Sequence, residues 1–365
     1  MTQEAKGMDE KPRPVVEAMA QTLKVLITGF EPFGGHQRNI SAEVAQLLSG
    51  LQTVADPWTG DALHLLCETS ILSVDVDGSL ATANRWRAGE RWDAILHLGL
   101  CEQCETPRIE RLARDHINMR LPDNAGRQLV DDVIDGNGDR GCWLDPTAWR
   151  KEAFDTSFSV STDAGAYLCN ETYFRTLSAV ASSESNPIPA PCLFVHLPDE
   201  DRLSRVDALV FVRQVLAHLV RPTPPNTIHV MAAHLAIDGG LHVVTQRPVG
   251  DTDEGAWEYP GGKCEAGEAW HETLHREIQE ELGLEVKPVR LLGTWLRHHN
   301  GLVFAVHLAD CQWAREQNGI SLMAHDDWQW ADPRTEPTWA WAGRDGEFYE
   351  FIRELSHNQV EDSPS

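Results

Sequence analysis

The chain has 365 residues, 42% apolar and 24% charged, values that fit two ordinary globular domains, each with its own core. A formal charge of -25 excludes non-specific attachment to nucleic-acid polymers or anionic membranes, although a polyphosphate remains accessible if a divalent cation screens it. The first 24 residues lack an apolar core long enough for a signal peptide, and no later run would span a bilayer. The eight cysteines follow no disulfide-framework spacing, so a reducing cytoplasm is expected. Cys101 and Cys104 form a lone C-x-x-C and are read as two ordinary loop thiols.

Residues 1–22 are polar and expected to be flexible. KVLITGF (24–30) predicts a strand running into a Gly-rich turn, and SAEVAQLL (41–48) has helical spacing. DAILHLGL (93–100) and PCLFVHLP (191–198) are short apolar runs that predict buried strands. DALVFVRQVLAHLV (207–220) predicts an amphipathic helix. Strands interleaved with helices indicate an α/β domain.

TGFEPFGG (28–35) is too irregular for a phosphate loop and suggests a shaped apolar wall. Cys169 opens a predicted helix over 170–182, where a helix N-terminus favours thiolate, and His196 closes an apolar strand. In order along the chain, TGFEPFGG, IERLARDHINMRLPDNAGRQ (109–128), DAGAYLCNETYF (163–174) and LFVHLP (193–198) resemble pyroglutamyl peptidase I, a cysteine peptidase that removes N-terminal pyroglutamate. The resemblance implies an α/β/α open-sheet domain over 23–221 that needs no metal. It makes Cys169, His196 and Glu110 catalytic, and it places Phe30 and Phe33 against the pyrrolidone ring with Arg120 and Asp123 shaping the site. It also implies a homo-oligomer through this domain. CEQC stands where that family often has a small Gly-containing turn, and the segment between Arg127 and Asp163 is shorter and more polar than usual.

RPTPPNT (221–227) puts three prolines in four residues, which predicts a stiff, extended connector over 222–227 and two cores that fold separately. IHVMAAHLAI, the turn DGG and LHVVTQRP then read as a hairpin. Further on, HETLHREIQEELGL (271–284) contains both HExxH, the mark of zinc peptidases, and a run of carboxylates suited to a hard cation. On a helix, Glu277, Glu280 and Glu281 share one side, next to an apolar stripe of Leu274, Ile278 and Leu282. His271 and His275 are expected on the apolar side.

From Gly262 the chain fits G-x5-E-x7-R-E-U-x-E-E-x-G-U, with Gly262, Glu268, Arg276, Glu277, Ile278, Glu280, Glu281, Gly283 and Leu284 at the fixed positions. This resembles the Nudix hydrolases, and with the EYPGGK leader it is similar to their MutT-like branch. The resemblance implies an α/β/α sandwich with a mixed sheet over 228–356, followed by a flexible tail at 357–365. It also implies Mg²⁺ (or Mn²⁺) held by Glu277, Glu280, Glu281, Gly261 and Asp327, and a small-molecule nucleotide as substrate. The segment 336–348 lacks the Asn that reads oxidised guanine in that branch, while Trp328, Trp330, Trp339 and Trp341 are available to stack on a base. The sequence thus points to a bifunctional hydrolase acting on pyroglutamyl peptides and on a nucleoside triphosphate or diphosphate-X. The alternative is a Nudix enzyme whose peptidase-like domain serves as a binding or assembly module.

Overall fold

A computed structural model of the chain describes residues 22–182, 188–237, 240–313 and 319–361. The N-terminal stretch 1–21, two residues of the expected DGG turn and residues 362–365 of the expected tail lie outside these.

The first domain comprises β1 (Leu23–Phe30), α1 (Ile40–Leu47), β2 (Gly50–Ala55), β3 (Ala62–Leu72), α2 (Val76–Arg87), β4 (Ala94–Cys101), β5 (Arg108–Glu110), β6 (Leu112–Ala113), β7 (Arg140–Gly141), β8 (Ser159–Ser161), α3 (Leu168–Ala181), β9 (Cys192–Pro198) and α4 (Arg205–Val220). A seven-stranded mixed sheet runs β2-β3-β1-β4-β9-β5-β8. Its centre, β3-β1-β4-β9, is parallel, whereas β2 and β5 pair antiparallel with their neighbours β3 and β9. β1, β4 and β9 are buried on both faces, hence their unbroken apolar runs in place of alternation. Two helix pairs, α1 with α4 and α2 with α3, flank the sheet. Each of three helices starts where a side chain takes up an orphan N–H: Asn39 accepts from Ser41, Asp75 from Gly78 and Ser204 from Asp207.

After α4 the Pro-rich segment is not simply extended. It closes into a turn, with Thr227 N–H donating to the Pro224 carbonyl at 3.3 Å and Asn226 at φ 62°. A proline fixes its own φ but leaves the residues after it free to turn.

The second domain comprises β10 (Ile228–His234), β11 (His242–Gln246), β12 (Trp257–Glu258), β13 (Gly261–Lys263), α5 (Trp270–Leu282), β14 (Val286–His299), β15 (Leu302–Trp313), β16 (Asp327–Ala331) and α6 (Asp345–Glu361). It forms a four-stranded mixed sheet, β13-β10-β15-β14, and a three-stranded sheet, β12-β11-β16. The expected hairpin of β10 and β11 is corrected here. Both edges of β10 are used, antiparallel by β13 and parallel by β15, so β11 crosses to β12 and β16. Among the described residues the hairpin persists next to the turn, as the antiparallel bridge between Ala236 and His242 with Ile237 N–H donating to the Leu241 carbonyl at 2.8 Å and Val243 N–H to that of Leu235 at 3.1 Å. Leu274, Ile278 and Leu282 dock α5 on Met231, Leu291 and Ala309, while Phe348, Phe351 and Ile352 of α6 pack on Trp295 and Leu308. Residues 357–361, expected in a flexible tail, continue α6. Among the described residues no helix is long and apolar enough to cross a membrane.

The two domains share an interface. Between Arg111 and Trp149 the first domain lies along β14, and Leu112 and Trp143 are buried in apolar clusters of the second domain. Trp143 meets Trp270 edge-on at 5.5 Å, and the Arg111 guanidinium lies 4.6 Å from the Trp295 ring and 5.1 Å from that of Phe351. Asp145, 1% exposed, accepts from the Leu296 N–H at 2.9 Å and from Arg344 at 3.1 Å. Replacing Asp145 with Ala leaves the buried Leu296 N–H without its acceptor and removes one partner of Arg344, which keeps Glu347 and the Leu296 carbonyl; the loss costs about 2 kcal/mol. Urea titration followed by tryptophan fluorescence is expected to show that loss, with the same urea dependence (m-value) as wild type.

Candidate active sites

In the first domain, β5 and β9 run antiparallel with Arg108 opposite His196, and Glu110 lies two residues further along the same face of β5 as Arg108. The Glu110 side chain is fully buried. One of its oxygens accepts from His196 Nδ1 at 2.7 Å and from Arg108 Nε at 2.6 Å. His196 also hydrogen-bonds with Cys169. Burial by itself would depress the imidazole, but the bonds to Cys169 and Glu110 and their charges outweigh it and lift His196 to about 9. A protonated imidazole beside a cysteine is the charge arrangement that activates a thiol nucleophile.

Cys169 is the second residue of α3, whose N-cap, Tyr167, contributes no side-chain bond. The first-turn N–H groups are therefore not capped by a side chain and are available to an oxyanion. The approach of β4 to the thiol depends on Gly99, where a Cβ would lie 2.7 Å from the Phe194 ring and 3.1 Å from Cys169 Sγ. Cys169 and His196 border a cavity of about 940 Å³ whose wall includes Phe33, Arg120 and Tyr167. Phe33 and Tyr167 stack at 6.1 Å. Phe30, expected beside Phe33, is 3% exposed and packs on Phe194 in the core. Asp123 is buried as well. It accepts from the backbone of Ala125 and Arg127 and pairs with the Arg127 guanidinium, which reaches on to Glu171 in α3, so it holds the 123–127 turn against that helix.

Cys101 and Cys104 are not two free thiols: they form a disulfide. The strand ends at Cys101 in a tight turn, with Cys104 N–H donating to the Cys101 carbonyl at 3.3 Å, and the Cα atoms stand 5.4 Å apart, within disulfide range. Arg108 and Tyr167 are site residues that the sequence reading missed. Arg108 could have been found from its i, i+2 relation to Glu110 on a strand, and Tyr167 from its place two residues before Cys169.

In the second domain α5 carries the carboxylates. Gly261 N–H donates to Glu281 at 2.9 Å, and the Glu277 carboxylate occupies the space that a Cβ on Gly262 would fill, only 2.3 Å from it. The two glycines thus form the floor of the carboxylate site. Arg276 pairs with Glu268 at 2.8 Å and Glu277 at 2.8 Å, and approaches Glu280, which is 62% exposed, at 3.5 Å. Gly283 ends the helix in the left-handed conformation at φ 65°. Burial raises Glu281 to about 7, outweighing the nearby His325 and the Gly261 N–H, and the neighbouring Glu258 and Glu277 add to the rise. Oxygen donors with unmatched negative charge suit a hard divalent cation. Glu277, Glu280 and Glu281 are not drawn together, however: among the described residues no three His, Cys, Asp or Glu side chains already form a metal-holding cluster. Asp327 is exposed at the start of β16, where its Oδ1 accepts from the Trp328 N–H. Two neighbours were missed. Glu258, the first residue of the EYPGGK leader, accepts from Arg247 at 2.6 Å and lies 3.2 Å from His325, whose Nδ1 is buried without a partner.

The HETLH residues serve other ends. Glu272 accepts from the Ala269 N–H at 2.8 Å, capping α5. His275 is exposed, not on the apolar side as expected, and its Nδ1 meets the Val286 carbonyl at 3.1 Å. Of the four tryptophans considered for base stacking, Trp339 stacks on Trp257 at 5.2 Å and Trp341 on Tyr259 at 6.1 Å, whereas Trp330 is 37% exposed.

The two halves of the chain match two different families. A family model for pyroglutamyl peptidases matches residues 23–200, and one for the NUDIX domain matches 227–351. The chain is similar to the pyrrolidone-carboxylate peptidase of Thermococcus litoralis, with 31% identity over 179 residues that cover 48% of this chain and 76% of the relative. It is also similar to that of Clavibacter michiganensis subsp. michiganensis, with 33% identity over 154 residues covering 41% and 68%. A solved pyrrolidone carboxyl peptidase from Fervidobacterium islandicum AW-1 aligns with a TM-score of 0.46 and 27% identity, over 55% of this chain and 99% of its own.

The environment of Cys169 generates a prediction that needs no substrate. Burial holds the Cys67 and Cys142 thiols up at about 11, and Cys192 and Cys311 are buried too. At neutral pH iodoacetamide is expected to alkylate Cys169 first among the free cysteines, and His196→Ala to slow that reaction about tenfold or more. Peptide mass spectrometry of timed samples reads both.

Proposed function

The chain belongs to the pyroglutamyl peptidase family and carries a Nudix domain, and on that premise we propose that it is a bifunctional hydrolase. One half removes N-terminal pyroglutamate from peptides, and the other hydrolyses a nucleoside triphosphate or diphosphate-X. We place the domains at 23–221 and 228–356, on either side of the Pro-rich turn. We place both reactions in the cytoplasm, where peptides and nucleotides meet.

The observation that carries the peptidase assignment is the series Glu110, His196 and Cys169 at the edge of one cavity. In the proposed mechanism Cys169 Sγ adds to the pyroglutamyl carbonyl carbon, and the first-turn N–H groups of α3 receive the developing oxyanion. His196, held by Glu110, gives its Nε2 proton to the leaving amine; water then cleaves the thioester. Phe33 and Tyr167 supply apolar surface for the ring. No metal takes part in this half.

In the Nudix half, Glu277, Glu280, Glu281, Gly261 and Asp327 are the residues that would hold Mg²⁺ or Mn²⁺. When bound, the cation supplies charge screening for a pyrophosphate and a more acidic water. The chain's own part is to keep that face negative, with Arg276 fixing Glu277 and Glu268, and Arg247 fixing Glu258.

Release of arylamine from a pyroglutamyl-arylamide, and of phosphate or pyrophosphate from a nucleotide panel with and without Mg²⁺, tests the two halves. Cys169→Ala is expected to abolish arylamide cleavage and leave nucleotide hydrolysis intact, and Glu281→Gln to do the reverse. A chain that hydrolyses nucleotides but never cleaves the arylamide would point to the assembly-module alternative. Because His196 is raised to about 9, it keeps its proton at pH 7 to 8 and loses it above, so kcat/KM for the arylamide is expected to fall as pH rises through about 9. With Glu281 at about 7, cation binding at pH 6.5 is expected to release a proton that is no longer there to release at pH 8.5. Calorimetric Mg²⁺ titrations in buffers of different ionisation enthalpy measure that release, and Glu281→Gln is expected to remove it.

A further inference from the structure

The Cys101–Cys104 disulfide takes no part in the chemistry described above, yet it stands in the wall of the peptidase cavity. Its strand, β4, passes Cys169 at Gly99, two residues before Cys101. The turn that follows, Glu102 to Thr106, lines the cavity opposite no regular element of its own. Three ties hold it. The disulfide closes its base, with Cys104 buried. Glu102 reaches His36 at 2.5 Å, which joins the turn to the loop bearing Phe33. Arg202 donates to the Glu102 and Cys104 carbonyls and pairs with Glu105 at 3.4 Å. The His36–Glu102 and Arg202–Glu105 contacts are exposed or partly exposed, of the kind that contributes little on its own, and the Arg202 bonds to the two carbonyls hold the backbone through one long, partly exposed side chain. Four polar side chains, Glu102, Gln103, Glu105 and Thr106, offer no apolar anchor in their place.

We propose that the Cys101–Cys104 disulfide is a specificity-determining element of the peptidase site, fixing the Glu102–Thr106 wall so that Phe33 and that wall close on the acyl group together. The proposal rests on the peptidase reading of this site. A dithiol opens the bridge: two electrons and two protons pass to the two Sγ atoms, giving two thiols, and the dithiol becomes its cyclic disulfide. The wall then loses its covalent tie, and substrate binding weakens while Cys169, His196 and Glu110 keep their places. The peptidase site therefore responds to the thiol poise of its surroundings through its pocket as well as through its nucleophile.

The test compares full-length protein with the bridge closed, the same protein after dithiothreitol, and the double variant Cys101→Ser with Cys104→Ser. The state of the bridge is checked by thiol counting. Opening it is expected to raise KM for a pyroglutamyl-arylamide about fivefold with kcat changed by less than about twofold, the size expected for an ordering cost returned to one loop. The double variant is expected to match the reduced protein and to ignore the dithiol; if it fails to fold, the oxidised and reduced wild type carry the comparison. In parallel, protection of Cys169 from iodoacetamide by pyroglutamate, measured after the dithiol is removed, is expected to need more pyroglutamate once the bridge is open. Unchanged KM and unchanged protection in verified reduced protein would overturn the proposal. So would a double variant that still responds to the dithiol, since the effect would then belong to another cysteine. Redox-dependent protection without cleavage in any state would instead sink the peptidase reading and leave the role of the wall standing.

Discussion

A carboxylate with no exposure to solvent needs its charge matched, because burying an unpaired ion costs more than most single interactions return. Glu110 is that carboxylate, and much of the first domain is arranged around it. The short strand β5 exists to bring it beside β9, and both Arg108 and His196 bond to the same oxygen. The imidazole is thereby oriented and kept protonated despite its burial. The next residue in the chain, Arg111, turns away from the site and lies between the rings of Trp295 and Phe351 in the second domain. Consecutive residues thus orient His196 and hold the domain interface, which gives the fusion a physical consequence.

The two sites treat charge in opposite ways. In the peptidase site the buried carboxylates are paired: Glu110 with His196 and Arg108, and Glu171 of α3 with Arg127 and Arg175. Such pairing leaves no surplus carboxylate among these groups. On α5 the pairing is incomplete. Arg276 and Arg247 match Glu277, Glu268 and Glu258, while Glu281 is left to be raised by burial. A face with surplus carboxylate is ready for a cation, and through it for a polyphosphate that the net charge of the chain would otherwise repel.

Much of this was legible in the residues alone, wherever one stretch of chain carries its own spacing. The apolar runs of β1, β4 and β9 read as buried strands because strands covered on both faces have no alternation to hide. The stripe Leu274, Ile278, Leu282 and the glutamates beside it read as one helix because helical period and burial agree there. HETLH misled only while read alone: capping of Ala269 by Glu272 and the exposure of His275 are local facts of a helix start, not of a metal site. Arg108 was within reach of the same reasoning, two residues from Glu110 on a strand.

What the sequence by itself determined is therefore the kind of each element and the chemistry each could offer, since these depend on neighbours three or four residues away. Tertiary structure alone decided who meets whom. It sent β11 away from β10, whose edges were already taken by strands from later in the chain. It moved Phe30 into the core and left Phe33 on the cavity. It brought Cys101 and Cys104 within bonding range at the end of a strand, and it buried Trp143 and Asp145 against a domain that begins some eighty residues later. Pairings of this kind depend on competition for hydrogen-bonding edges and apolar surface across the whole chain, and no local spacing records the outcome of that competition.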